Sequence, residues 1–450
     1  MSESVLALRA VESMRAAGAL HADALHVEGE QLDVRVRGEE IDFVQQARSR
    51  SLGLRAFVAG DDGLSLAVTS TSDFDGEALE RMAQETVALA RATASDPAAG
   101  LPEDGFADEL PDLGLFDPAD RPWKVDEHIE AARSGERAAR AVDPRISNSE
   151  GCESNARYSE IGYANSHGWS GSYASARYSL YAAPLAESGS EKQGDYWHTA
   201  SRTLAGLEPA EQVGRIAGER ALRRLGARPV PTCEVPVIFE SRVAASLLGQ
   251  LFSCLSGYAL YRGGSFLIDR LGDTIASPLV TLVDDGRRPG GLGSKPFDAE
   301  GLPTRRNVIV CEGRLESYLY DSYSARKLGA ASTGSAVGSP GRPPSVGATN
   351  LWLEPGEGDL AALVADTKRG LLVTELMGMG FNPVTGDYSR GAGGLWIENG
   401  RVEQPVQEVT VAGNLGPMLE AVDAVAGDLE WRGRIAAPSL RIGRMTVAGG

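Results

Sequence analysis

Histidine is scarce in this chain and absent from its second half. All five (His21, His26, His128, His167 and His198) fall within the first 198 residues, so the remaining 252 (450 minus 198) hold none. No two stand four apart, the spacing that projects two imidazoles from one helix face onto a metal. HExxH, GxSxG, GxGxxG and any Gly-Lys pair are missing too. These absences remove the common signatures of zinc hydrolases, serine hydrolases, dinucleotide enzymes and P-loop proteins. Four cysteines (Cys152, Cys233, Cys254, Cys311) are far apart and form no CxxC, so neither disulfides nor structural zinc are expected and a reducing compartment is the default. Positive charge is in deficit: 44 Lys and Arg against 62 Asp and Glu leave a net −18. That balance argues against nucleic acid or an anionic membrane as partner, because phosphate binding needs clustered cations. No apolar run approaches the ~18 residues of a membrane-spanning helix. The opening MSESVLALRAVESMRAAG has no basic region followed by an apolar block, so no signal peptide is read and a cytoplasmic protein is expected.

What is present is glycine (54 residues) and a hydrophobic content of 42%. The glycines read as turns between many short strands, and the length suits two domains or three. Val5, Leu8, Val11 and Met14 predict an opening amphipathic helix over 4–18. Alternation at Leu32, Val34 and Val36, at Leu52 to Val58, and at Leu64 to Val68 predicts strands, with Gly60-Asp61-Asp62-Gly63 as a hairpin turn. Ser72 and Asp73 are read as caps of a helix running to about Ala94. The Pro-, Asp- and Gly-rich stretch 95–122 reads as a surface connection. A helix over 125–141 is followed by strands over 147–154, 157–165 and 169–184, and by a helix over 209–225. Past Arg228-Pro229-Val230-Pro231 the texture changes: a strand over 235–239, a helix over 241–255, then short strands and a helix over 359–368. The fold class expected is α+β in two domains, a mixed α/β domain over 1–228 and a strand-rich antiparallel domain over 229–450.

Lone candidates for chemistry are few. Cys254 has no neighbouring base in Leu251-Phe252-Ser253-Cys254-Leu255 and reads as a buried apolar side chain. His21 and His26 read as surface residues, His167 as part of the turn Asn165-Ser166-His167-Gly168, and His198 beside Trp197 as packing. Tyr173, Tyr178 and Tyr181 read as sheet-face residues, and Arg305-Arg306 and Arg326-Lys327 as solvated or interface charges.

The second half carries ordered words: Pro296–Arg306 (PFDAEGLPTRR), Asp321–Gly329 (DSYSARKLG), Ser332-Thr333-Gly334, Thr374–Gly378 (TELMG), Asn382–Ala392 (NPVTGDYSRGA), Trp396–Gly400 (WIENG) and Val411–Leu415 (VAGNL). In series they resemble the TldD/PmbA family, and within it the PmbA/TldE type. The resemblance implies a two-part cytosolic metallopeptidase acting on small or unfolded peptides. One subunit, TldD-like, holds the metal with an HExxxH helix and a distant Cys. The corresponding helix here is Ser241–Gly257, with neither His nor Glu inside it, and no Cys follows Cys311. Residue reading and resemblance agree on a protomer with no metal of its own; the resemblance further implies a TldD-like HExxxH partner subunit, and the chain alone is expected to be a dimer. The segment Pro383–Gly391 sets hydroxyls, a carboxylate and a guanidinium between strand-like stretches. It can line a chamber and hold extended peptide, or serve as a turn network satisfying backbone groups. Asp387, Tyr388, Ser389, Arg390 and Asn414 are the candidate chamber residues. A stand-alone homodimeric binding protein is the second reading. An independent hydrolase is the third, with no constellation to carry it.

Overall fold

The computed structural model describes residues 3–449. Its first half is built on a few very long strands. α1 (Glu3–Ala16) leads into β1 (His21–Arg37) and β2 (Glu40–Ala59), which pair as a hairpin. β3 (Leu64–Thr71) returns through the predicted Gly60–Gly63 turn, and α2 (Gly76–Ala92) follows. After α3 (Val125–Ala141) come β4 (Ile146–Asn165) and β5 (Ser170–Ser188), joined by the Asn165–Gly168 turn. Short β6 (Glu191–Gly194) and β7 (Trp197–Ser201) both pair with β5, and α4 (Ala210–Leu222) closes the half. The sheet order is β3-β2-β1-β4-β5-β6. At 20 residues, β2 and β4 each span about 65 Å.

The even-numbered residues of β1, β2, β4 and β5 share one face, joined there by odd-numbered residues of β3 and β7. One end of it (Ala22, Ala24, Leu52, Leu54, Ala164) is buried under α1 and α2. The other end (Leu32, Val34, Val36, Ala156, Tyr178, Leu180) lies under α3 and α4. A Cβ on Gly214 of α4 would lie 2.0 Å from the Gly135 carbonyl oxygen of α3, so only glycine permits this backbone-to-backbone crossing. Between the helix pairs the same face is charged, with Glu28 and Glu30 taken by Arg48 and Arg121.

The second half begins with β8 (Cys233–Phe239) and α5 (Ser241–Leu255). β8 lies in a sheet ordered Arg401–Asn414, Asp387–Glu398, Arg369–Met377, β8, Leu440–Ala448, Val422–Val425. A further pairing between Arg401–Asn414 and Leu440–Ala448 curls this sheet onto itself. Most pairs are antiparallel; β8 with Arg369–Met377 is parallel. α5 sends Leu247, Leu251 and Leu255 into the core these strands share with Phe239, Val373, Val411 and Val447. The α+β class expected from the sequence holds.

Several boundaries differ from expectation. The strands read at 147–154 and 157–165 are one strand, β4, whose register shifts between Ser149 and Cys152 without breaking. α2 is capped by Asp75, which accepts from the Glu77 amide; Asp73 instead accepts from the Asp75 amide. The helix read over 359–368 is only Leu360–Ala365, capped by Asp359. His26 is buried, not exposed, against the Phe74 ring. The 95–122 stretch is no simple surface connection. Ala98, Leu101, Ala107, Leu113 and Leu115 are buried, and the backbone bonds to both halves: Ala107 donates to Gly301, Leu113 accepts from Gly290, and Leu115 accepts from Ala176. Its scattered apolar residues have no period to announce a face, yet they fill the seam between the halves.

Among the described residues no helix is long and apolar enough to cross a membrane.

Candidate functional site

α5 stands where the resemblance puts the metal helix. Val243, Ala244, Leu247, Leu248, Leu251, Cys254 and Leu255 recur at helical spacing and turn inward. Glu240, just before its first turn, is the nearest carboxylate, but Arg220 of α4 grips both its oxygens at 2.7 and 2.9 Å. Burial alone would raise this carboxyl; Arg220 outweighs it and holds Glu240 charged. The Cys254 thiol lies 3.7 Å from the carbonyls of Gln250 and Pro383, and burial pushes its pKa up to about 11. It is no nucleophile at neutral pH. A metal needs several converging donors. Among the described residues no three His, Cys, Asp or Glu side chains come together for one. The residues of α5 therefore do not fit the metal that the family resemblance implies.

The Asn382–Ala392 motif packs beside the end of this helix, its Pro383 carbonyl accepting from the Phe266 amide and lying near Cys254. Gly386 turns the chain at φ +79°, a conformation that favours glycine. Thr385 donates to Asp387 at 2.6 Å, and Asn414, directly opposite in register, donates to the Thr385 carbonyl at 2.7 Å and to Asp387 at 3.2 Å. These bonds lower the pKa of exposed Asp387, the Thr385 hydroxyl most. Asp387 and Ser389 are solvent-exposed and Asn414 partly so, and these three share one surface ladder; Arg390, also partly exposed, projects from the other face of the strand, beside Tyr388. Tyr388 is corrected: at 1% exposure it belongs to the core, facing away from that ladder. Strand alternation requires this inversion between Asp387 and Ser389.

Two other motifs meet at the seam between the halves. Asp298 accepts from the amides of Glu300, Leu302 and Ala336, and Glu300 accepts from the Ser322 amide at 2.8 Å. Asp321 caps the short Ser322–Leu328 helix through the Ser324 amide. From that helix Arg326 donates to the carbonyls of Ala98, Gly100 and Leu101, and Lys327 and Tyr323 both reach Asp96. Across the seam Arg55 pairs with Asp23, to which Tyr163 also donates. Arg55, Phe57, Tyr258, Tyr261, Glu300 and Tyr323 line a cavity of about 350 Å³ here. Burial, then the neighbouring Asp298, pushes the Glu300 carboxyl up to about 7. Sequence reading missed this cluster because its members are hundreds of residues apart; the acidic-then-basic order of both motifs was its only signal. Arg326, read as a solvated or interface charge, is a staple across the seam. Arg326→Ala is expected to cost about 1–3 kcal/mol and to speed protease cleavage near residues 98–103, read by mass spectrometry of timed digests. Unchanged cleavage would remove the staple role.

Comparison with known proteins agrees with this architecture. Family profiles match in order: PmbA/TldA metallopeptidase domain 1 over residues 22–90, the central domain over 118–225 and the C-terminal domain over 232–449. The chain is 37% identical over 420 residues to Metalloprotease PmbA of Escherichia coli O157:H7, covering 93% of this chain and 90% of that one. A candidate modulator of DNA gyrase from Bacteroides thetaiotaomicron superposes with a TM-score of 0.91 at 29% identity, over 99% and 98% of the two chains. TldE from Thermococcus kodakarensis shares the fold, with a TM-score of 0.87 at 24% identity over 98% and 99%. The chain belongs to the PmbA/TldD family of metallopeptidase-related proteins.

Proposed function

We propose that this chain is the metal-less subunit of a cytoplasmic TldD/TldE-type metallopeptidase that acts on small or unfolded peptides. One observation carries the reading: α5 offers a metal neither imidazole nor free carboxylate, while the motif ladder beside it is intact. In this reading a TldD-like HExxxH partner brings the metal and general base. This chain, a dimer when alone, walls the chamber with Asp387, Ser389, Arg390 and Asn414. We take residues 1–228 and 229–450 as its two domains.

The test is a peptide-cleavage assay on three samples: this chain, a TldD-like partner from the same source, and their mixture. Cleavage is expected only from the mixture, with metal analysis finding none tightly held by this chain. Equal activity of the partner with and without it sinks the subunit role; activity of this chain alone overturns the whole reading. Asp387→Lys is expected to weaken cleavage by the mixture while its metal content stays constant.

A further inference from the structure

The seam cavity is lined by aromatic rings and by carboxylates with unused oxygens, and the subunit reading assigns it nothing. Ser256 caps the short helix Gly257–Tyr261 by accepting from the Ala259 amide, and that turn carries Tyr258 and Tyr261, three apart and so on one face. Tyr323 stands in the first turn of the Ser322–Leu328 helix, just after its cap Asp321. Tyr258 meets Tyr261 with ring centres 5.4 Å apart at 76°, and Tyr261 meets Tyr323 at 5.7 Å and 80°. Phe57 of β2 joins them in the lining from the first half. Ring faces attract cations. Arg262 lies over Tyr258 and Lys327 over Tyr323, one cation to a ring, whereas Tyr261 carries none among the described residues.

The acids supply the second half of the site. Glu300 is 1% exposed and Asp321 4%, and both line the cavity. Each spends one oxygen on neighbouring backbone: Glu300 Oε2 accepts from the Ser322 amide at 2.8 Å, and Asp321 Oδ1 from the Ser324 amide at 2.8 Å and its hydroxyl at 2.5 Å. Among the described residues Glu300 Oε1 and Asp321 Oδ2 take no hydrogen bond and no ion pair. A buried carboxylate left part-satisfied is costly. The other charges in the lining are already matched, Arg55 by Asp23 and Asp96 by Lys327. Arg326, close by, spends its donors on the carbonyls of Ala98, Gly100 and Leu101. The lining therefore holds an excess of acid beside a ring with no cation.

We propose that this cavity binds the primary ammonium group of a short alkyl chain, its N–H donors on Glu300 Oε1 and Asp321 Oδ2 and its methylenes against Tyr261 and Phe57. Two open carboxylate oxygens call for a cation that can donate, which an ammonium with N–H groups does and a quaternary one does not. At about 350 Å³ the cavity falls at the small end of ordinary ligand sites, enough for a chain of lysine length. The same chemistry is offered by a free amine and by a lysine side chain on a peptide.

The test is isothermal titration calorimetry on the full chain near pH 8, above the Glu300 value of about 7. The probes are n-butylammonium, n-butanol, tetramethylammonium and a lysine blocked at its amino and carboxyl ends. Butylammonium is expected to bind, and butanol, of equal length without the charge, to bind about tenfold more weakly or worse. Tetramethylammonium, with no N–H to give, should also bind more weakly. Glu300→Gln keeps the acceptor for the Ser322 amide and should bring butylammonium to the level of butanol, with a thermal midpoint no lower than the parent's. Tyr261→Leu should narrow the gap between the two probes, and guards against a first variant that fails to fold. Equal binding of butylammonium and butanol, no binding of either, tighter binding of tetramethylammonium, or unchanged affinity in folded Glu300→Gln would overturn the assignment. Blocked lysine matching butylammonium adds peptide side chains to the ligands, and its rejection confines the site to free amines; the site stands in both cases. No partner subunit takes part, so the result is independent of the cleavage assay.

Discussion

Asp23→Ala lowers the unfolding free energy of the chain by about 3–5 kcal/mol, the range for stripping one partner from a buried ion pair. Asp23 and Arg55 are 4% and 9% exposed, and Arg55 donates to both carboxylate oxygens, through Nε at 2.8 Å. Tyr163, 1% exposed, adds its hydroxyl at 2.8 Å. Removing the carboxylate leaves the Arg55 guanidinium and the Tyr163 phenol buried at the seam without the acceptor they share. The second arm of the test is Asp23→Ala with Arg55→Leu. Deleting both charges is expected to recover part of the loss, since the penalty arises from the orphaned charge more than from the missing attraction. Chemical denaturation of the parent and the two variants measures it. A single-variant loss below about 1 kcal/mol would mean that solvent reaches the pair.

The second large effect depends on pH. Glu300 is 1% exposed, and its carboxyl is pushed up to about 7 from an ordinary 4.5. A folded-state pKa above the unfolded one means the folded protein holds the proton more tightly. The associated stability is full below about 4.5 and is lost as pH rises through about 7. Glu300→Gln keeps an acceptor for the Ser322 amide but cannot ionise. The variant should match the parent near pH 5 and exceed it by about 1–3 kcal/mol near pH 8. Asp284, pushed up to about 6 mainly by burial, remains in the variant, so a smaller decline between those values persists. A variant less stable than the parent near pH 8 would show that the ionised carboxylate is needed, through Arg55.

The sequence made some of this legible and hid the rest for identifiable reasons. α5 was readable to its ends because its inward residues keep one helical stripe from Val243 to Leu255, and its lack of ligands needed no structure. β4 read as two strands because Ser149, Gly151 and Asn155 interrupt its apolar pattern. The structure carries the chain through with Gly151 at φ +114° and a register shift. Tyr388 was grouped with its polar neighbours by proximity in the chain, whereas the strand period sends it inward. The seam was least legible. Asp23, Arg55, Glu300 and Arg326 are spread over three hundred residues, and no periodicity links charges that meet only after both halves have folded.

The course of residues 95–122 has a further consequence. This stretch belongs by sequence to the first half, yet its buried side chains and backbone bonds lie against Gly290, Gly301 and Arg326 of the second. Residues 1–228 produced as a free fragment would keep Leu101 against Phe57 and Leu66 and Ala107 against Tyr163, but would lose Phe297, the Gly301 and Gly290 backbone partners and the Arg326 staple, and the complementary fragment would present an unfilled trough. The halves are interleaved, so each is the other's missing surface. Two fragments cut near residue 228 and made in one cell should therefore find each other and reassemble, whereas either one made alone should aggregate.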